Sequence, residues 1–132
     1  MKSIKYNKLP PEQKEVYDTL MLSELVYDSV IFKTNINKDD ELYRNTLLGI
    51  LKEQTKRFLT YSIWKNLDEK QTEHLKDYIS QKSLIDPDLP TFEILIEFVS
   101  MYKSLSNKIY SELMGFFDEF IETVNKVNST KI

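Results

Sequence analysis

The sequence predicts an all-α protein, four helices in an antiparallel bundle with the last one dominant. Three observations carry this. Apolar residues recur at three- and four-residue spacing over most of the chain, as in helices with one buried face. Only two glycines and four prolines occur in 132 residues, few for the many turns of a β-rich fold. Helix starts are also recognisable, as an acidic cap or a first-turn proline ahead of each periodic segment. The length suits a single helical domain over residues 1–132 that buries a real core. Residues 1–9 read as a flexible arm and 128–132 as a frayed C-terminus.

The first helix begins at Pro11, where a missing N–H is harmless, with Glu12 and Glu15 near the positive end of its dipole. Val16, Leu20, Ser23, Tyr27 and Val30 share one face; Leu22, Leu25, Val26 and Ser29 widen its apolar side. It is expected to run to about Lys33, followed by the polar turn "KTNINKDD".

Asp39 or Asp40 caps the second helix, which carries Tyr43, Leu47, Ile50, Leu51, Phe58 and Leu59 to about Trp64. Gly49 lies inside it, where glycine costs about 1 kcal/mol relative to alanine if exposed. It reads either as tolerated or as a close helix crossing. Asp68 and Gln71 have capping-box spacing and open the third helix, with a modest face of Leu75, Tyr78 and Ile79. "LIDPDLP" ends it, because Pro87 disfavours helical angles at Asp86.

Asp88 or Thr91 is expected to cap the last helix. Its stripe is Ile94, Phe98, Tyr102, Leu105, Ile109, Leu113, Phe116, Phe120, Val124 and Val127, spaced four, four, three. That eleven-residue period favours a straight or slightly right-handed path. Such a helix spans roughly 50–55 Å at the α-helical rise, against about 30–40 Å for each of the first two. Shorter partners cover it only by stacking end to end, or if it bends, and Gly115 is its one weak point. Gly115 is expected to serve a close crossing or a bend.

The segments "LPPEQK", "LDEKQTEHL" and "DPDLPTFEILIEFV" resemble, in order, the helix openings of small all-α domains found in uncharacterised bacterial proteins. The second helix is an insertion relative to that pattern. The resemblance implies a helical fold and no particular chemistry.

Composition limits the function. A net charge of −3 and a pI near 5.3 give no global attraction to nucleic acid or an anionic membrane. With no cysteine, disulfides, thiolate metal sites and thiol catalysis are excluded. "MKSIKYNKLPPEQ" lacks the apolar run of a signal peptide, and no stretch has the length and apolarity of a membrane span. A cytoplasmic protein is the expectation.

His74 is the sole histidine, beside Glu73 and Asp77. It reads as a surface residue, since a metal site needs three or four ligands. No glycine-rich phosphate loop or serine nucleophile elbow is present. Glu93 and Glu97, like Asp118 and Glu122, are one turn apart. Acid–base work needs one of such a pair in an apolar pocket, and both pairs lie opposite the apolar stripe, as solvated surface. No cofactor, metal or small-molecule substrate is expected.

The expected function is therefore non-enzymatic: a protein-binding or scaffolding helical module, self-associating, because apolar helix face exceeds its obvious partners. The candidate interface is Phe116, Phe117, Phe120, Ile121 and Val124. The alternative is a nucleic-acid accessory protein using Lys52, Lys56, Arg57, Tyr61 and Trp64 on the second helix, where cations reach phosphates and aromatics stack on bases. Glu53 interrupts that patch, and nucleic acid is the less favoured partner.

Overall fold

A computed structural model describes residues 8–129. These form six helices and no strand: α1 Pro11–Leu20, α2 Glu24–Phe32, α3 Glu41–Asn66, α4 Glu69–Ile85, α5 Thr91–Ser100 and α6 Lys103–Ser129. The all-α expectation holds, but two of the four expected helices are each divided in two.

The first break falls at Leu22, the one described residue other than glycine with positive φ, at 58°. The left-handed conformation costs an L-residue roughly 1–2 kcal/mol. Burial of the Leu22 side chain in the core offsets it. The second break falls at Met101–Tyr102, whose N–H groups close on Phe98 and Val99 carbonyls. The Ile94-to-Val127 stripe crosses this break because buried residues on both helices satisfy the same period. Ile94 and Phe98 are buried in α5; Leu105, Ile109 and Leu113 are buried in α6. The pattern records burial and is blind to a change of axis. The last helix is thus 27 residues, about 40 Å at the α-helical rise.

Asp40 caps α3 by accepting from the Tyr43 N–H at 3.1 Å. At α4 the capping box closes both ways, Gln71 N–H to Asp68 Oδ1 at 2.7 Å and Asp68 N–H to Gln71 Oε1 at 3.1 Å. The α5 cap differs from expectation: Pro90 occupies the position, and neither Asp88 nor Thr91 provides a side-chain cap.

Helices α3 and α6 pair antiparallel. Tyr43 Oη donates to Asn128 Oδ1 at 2.9 Å near one end, Phe58 stacks on Phe116 with ring centroids 4.6 Å apart, and Ser62 reaches Glu112. On another side α1 and α2 lie end to end along α6, parallel to it. Gln13 of α1 bonds Asn107 and Ser106, while Asn35, just beyond α2, bonds Asn125 and Asn128. Helix α5 packs against α1, α3, α4 and α6 and buries Ile94, Leu95, Ile96, Phe98 and Val99. Leu20, Leu51, Leu59, Ile63, Leu75, Ile109 and Leu113 complete the fully enclosed core.

Among the described residues nothing makes the close crossing expected at Gly115, or the one weighed at Gly49. A Cβ added at either position meets nothing within 4 Å, and α6 runs unbroken through Gly115.

Candidate functional site: the ridge of helix α2

The expected interface on α6 is largely covered by its own chain. Phe117 and Val124 are buried, and Phe116, Phe120 and Ile121 are half-buried against the core. Through Val124 the stripe does not outrun its partners, because the α1–α2 stack and the antiparallel α3 extend along it; its last member, Val127, is exposed. This corrects the argument that placed an uncovered face there.

Apolar surface is left open on α3, at Leu42 and Ile50, and on α2. This nine-residue helix, ELVYDSVIF, buries Tyr27, Val30 and Ile31. Leu25 and Phe32 remain 79% and 78% exposed. Seven residues apart, they share one face of the helix, about 10 Å from end to end at the α-helical rise. They form the crest of a ridge with a hollow on each flank. One hollow, of about 290 Å³, runs between α2 and α6, floored by Val26 and Val30 on one side and by Tyr110, Met114, Phe117 and Ile121 on the other. Lys33 and Asp118 are its two charged lining residues. The other, of about 390 Å³, is bordered by Asp28, Ile31, Phe32, Lys38, Arg44 and Leu48. There the Lys38 ammonium donates to the Thr34 carbonyl, and Arg44 donates to the Lys38 carbonyl at 3.3 Å. Of the five expected interface residues, Phe117 and Ile121 line the α2–α6 groove.

Leu84 and Ile85 are also exposed, at the last turn of α4. They are consecutive, so they point about 100° apart around the axis and form no common crest.

The basic and aromatic residues of α3 are engaged within the chain. Lys52 pairs with Glu24 at 2.7 Å and lies over the Tyr27 ring. Lys56 lies over the Phe92 ring, and Arg57 pairs with Glu53 at 2.7 Å. Tyr61 is exposed, with Lys65 over its ring, whereas Trp64 is half-buried against the core. The five residues do not form a stacking platform beside free cations.

Two carboxylates act as ties between helices. Glu97, expected as solvated surface, accepts from Tyr78 Oη at 3.2 Å and lies 3.7 Å from Lys82, joining α5 to α4. Burial, then the charge and hydrogen bond of Glu97, push the Tyr78 phenol up to about 12. Glu112 was missed by sequence reasoning. It accepts from Ser62 Oγ at 2.6 Å, from Asn66 Nδ2 at 3.1 Å, and pairs with Lys65 at 3.3 Å. Burial pushes its pKa up, but the hydrogen bonds from Ser62, Asn66 and Lys65 and the Lys65 charge together bring it below the ordinary value. An ionised carboxylate with its lone pairs so occupied is a clamp, not a proton donor at neutral pH. Asp118 and Glu122 are exposed, Glu122 pairing with Lys126.

His74 is exposed. Among the described residues, no group of three or more His, Asp or Glu side chains is placed to hold a metal ion, and no helix is long and apolar enough to cross a membrane. The chain matches no protein-family model, no curated protein and no solved structure.

Proposed function

We propose that this chain is a protein-binding helical module whose docking surface is the α2 ridge, with Leu25 and Phe32 as its anchors. One observation carries the reading: two large apolar side chains stand nearly four-fifths exposed on the open side of a helix that buries Tyr27, Val30 and Ile31 on the other. Covering each is worth about 1.5–3 kcal/mol relative to leaving it in water. Grooves beside the crest give a partner shape to follow, and large apolar anchors seated in pockets dominate most interfaces. The reading keeps the class of function that the sequence suggests and moves its surface from α6 to α2.

The test is affinity capture from the native host with the wild-type chain and with the double variant Leu25→Ser/Phe32→Ser, both checked by circular dichroism. A protein recovered by the wild type and lost with the folded variant supports the surface. Equal recovery by both removes α2 as the anchor.

A further inference from the structure

We infer that the occupant of the α2–α6 groove is α2 of a second copy of this chain, seated around a two-fold axis. This rests on the docking surface proposed above and names its partner.

The first argument is shape. The surface carries both a projecting knob, Leu25, and the apolar hole beside it, between Val26 and Val30 on α2 and Met114 and Phe117 on α6. A patch holding its own knob and its own hole is what a two-fold interface requires, since each copy inserts into the other reciprocally. Ser29 lies between Leu25 and Lys33 on the groove side of α2, and its small side chain lets two α2 helices approach closely near the axis.

The second argument is charge. The groove's two charged residues have opposite sign and lie on opposite walls, Lys33 at the end of α2 and Asp118 on α6. Neither side chain has an ion pair or hydrogen bond among the described residues. A ligand of one sign satisfies one of them and opposes the other. A two-fold copy brings the partner's Asp118 to Lys33 and the partner's Lys33 to Asp118, so both are answered by one operation. Complementary charge of this kind fixes register and rejects wrong partners more than it adds affinity.

Sedimentation equilibrium of the full chain, from low to high micromolar, tests the inference. The expected result is reversible association from 15.7 kDa towards twice that mass, abolished by Leu25→Glu with helix content unchanged. Lys33→Glu and Asp118→Lys each place like charges at both contacts and are expected to weaken the dimer by at least about tenfold. Mixing these two variants places opposite charges at both contacts and is expected to restore association that neither shows alone. That rescue depends only on exposed side chains, so it stays readable even if Leu25→Glu disturbs folding. A wild-type monomer at high micromolar concentration overturns the inference, and so does a dimer indifferent to Leu25→Glu or a mixture without rescue. A strict monomer that still captures another protein through Leu25 and Phe32 leaves the docking surface standing with a different occupant. A strict monomer whose capture ignores those residues removes both.

Discussion

Tyr27 is 2% exposed, yet its hydroxyl has no hydrogen-bond partner among the described residues. A buried donor left unmade costs about 1–3 kcal/mol, so Tyr27→Phe is expected to stabilise the fold by about 1 kcal/mol in denaturant melts. Clear destabilisation would reveal a partner for the hydroxyl. The same residue governs alkaline behaviour. Burial first, and then Glu24, push its phenol up to about 12, matching Tyr78. In the unfolded chain both ionise near pH 10. Both folded values are raised, so the stability they contribute is complete below pH 10 and is lost as pH rises towards 12. Tyr27→Phe is expected to flatten that loss in melts taken across this range. Glu112 has the opposite sign. Its folded pKa is lowered, so its contribution is present above the unfolded value and disappears as pH falls through the folded one. Ser62→Ala removes its shortest hydrogen bond and is expected to cost about 1–2 kcal/mol at neutral pH, near the range for bonds to charged groups. The cost should shrink in acid. A constant penalty down to pH 2 or so would show that Glu112 is not the group involved. The Glu112 contacts were not legible in the sequence, since they join residues 46 and 50 positions apart along the chain.

At the scale of elements, the legible parts were those written in local chemistry. Asp40 and the Asp68–Gln71 box start α3 and α4 as their spacing requires. The illegible parts were the two breaks. Leu22 turns the chain with positive φ and no glycine to announce it, and Met101–Tyr102 turns it with neither glycine nor proline. Tertiary burial on both sides holds those turns, and a periodicity argument sees only the burial. The same limit hid the α2 ridge. ELVYDSVIF is apolar almost all round, which ordinarily implies cover all round. That signal pointed to Leu25 and Phe32, but it was absorbed into one long amphipathic helix. Gly115, expected to be structurally special, is exposed in a regular helix with open space where a Cβ would lie. Gly115→Ala is therefore expected to stabilise by about 0.5–1 kcal/mol through helix propensity. Destabilisation in denaturant melts would restore the close crossing that the geometry denies.

Across the whole molecule, α6 packs on α5 and, along its length, on two different kinds of neighbour. Helix α3 is one long antiparallel partner locked by Phe58 on Phe116 and by the Glu112 clamp. The α1–α2 stack is an arm with a turn in its middle, tied by polar contacts at both ends. Gln13 holds one end to Ser106 and Asn107; Asn35 holds the other to Asn125 and Asn128. The proposed docking ridge sits on the outer half of that arm, whose end the Asn35 tie fastens to α6. The Asn35 N–H donates to Asn125 Oδ1 at 2.8 Å, and Asn125→Ala removes that acceptor. The expected cost is about 1 kcal/mol, the net worth of one such bond. Local opening should bear most of it, since the bond fastens the end of one segment and segments can open below the global free energy. Amide hydrogen exchange is therefore expected to quicken across Glu24–Phe32 and the following turn, with α4 and α5 little changed. Leu25-dependent association should weaken in parallel, because a frayed α2 presents its crest for less of the time. Uniform acceleration through all six helices would mean that the arm unfolds only with the whole, and that the ridge is as rigid as the core beneath it.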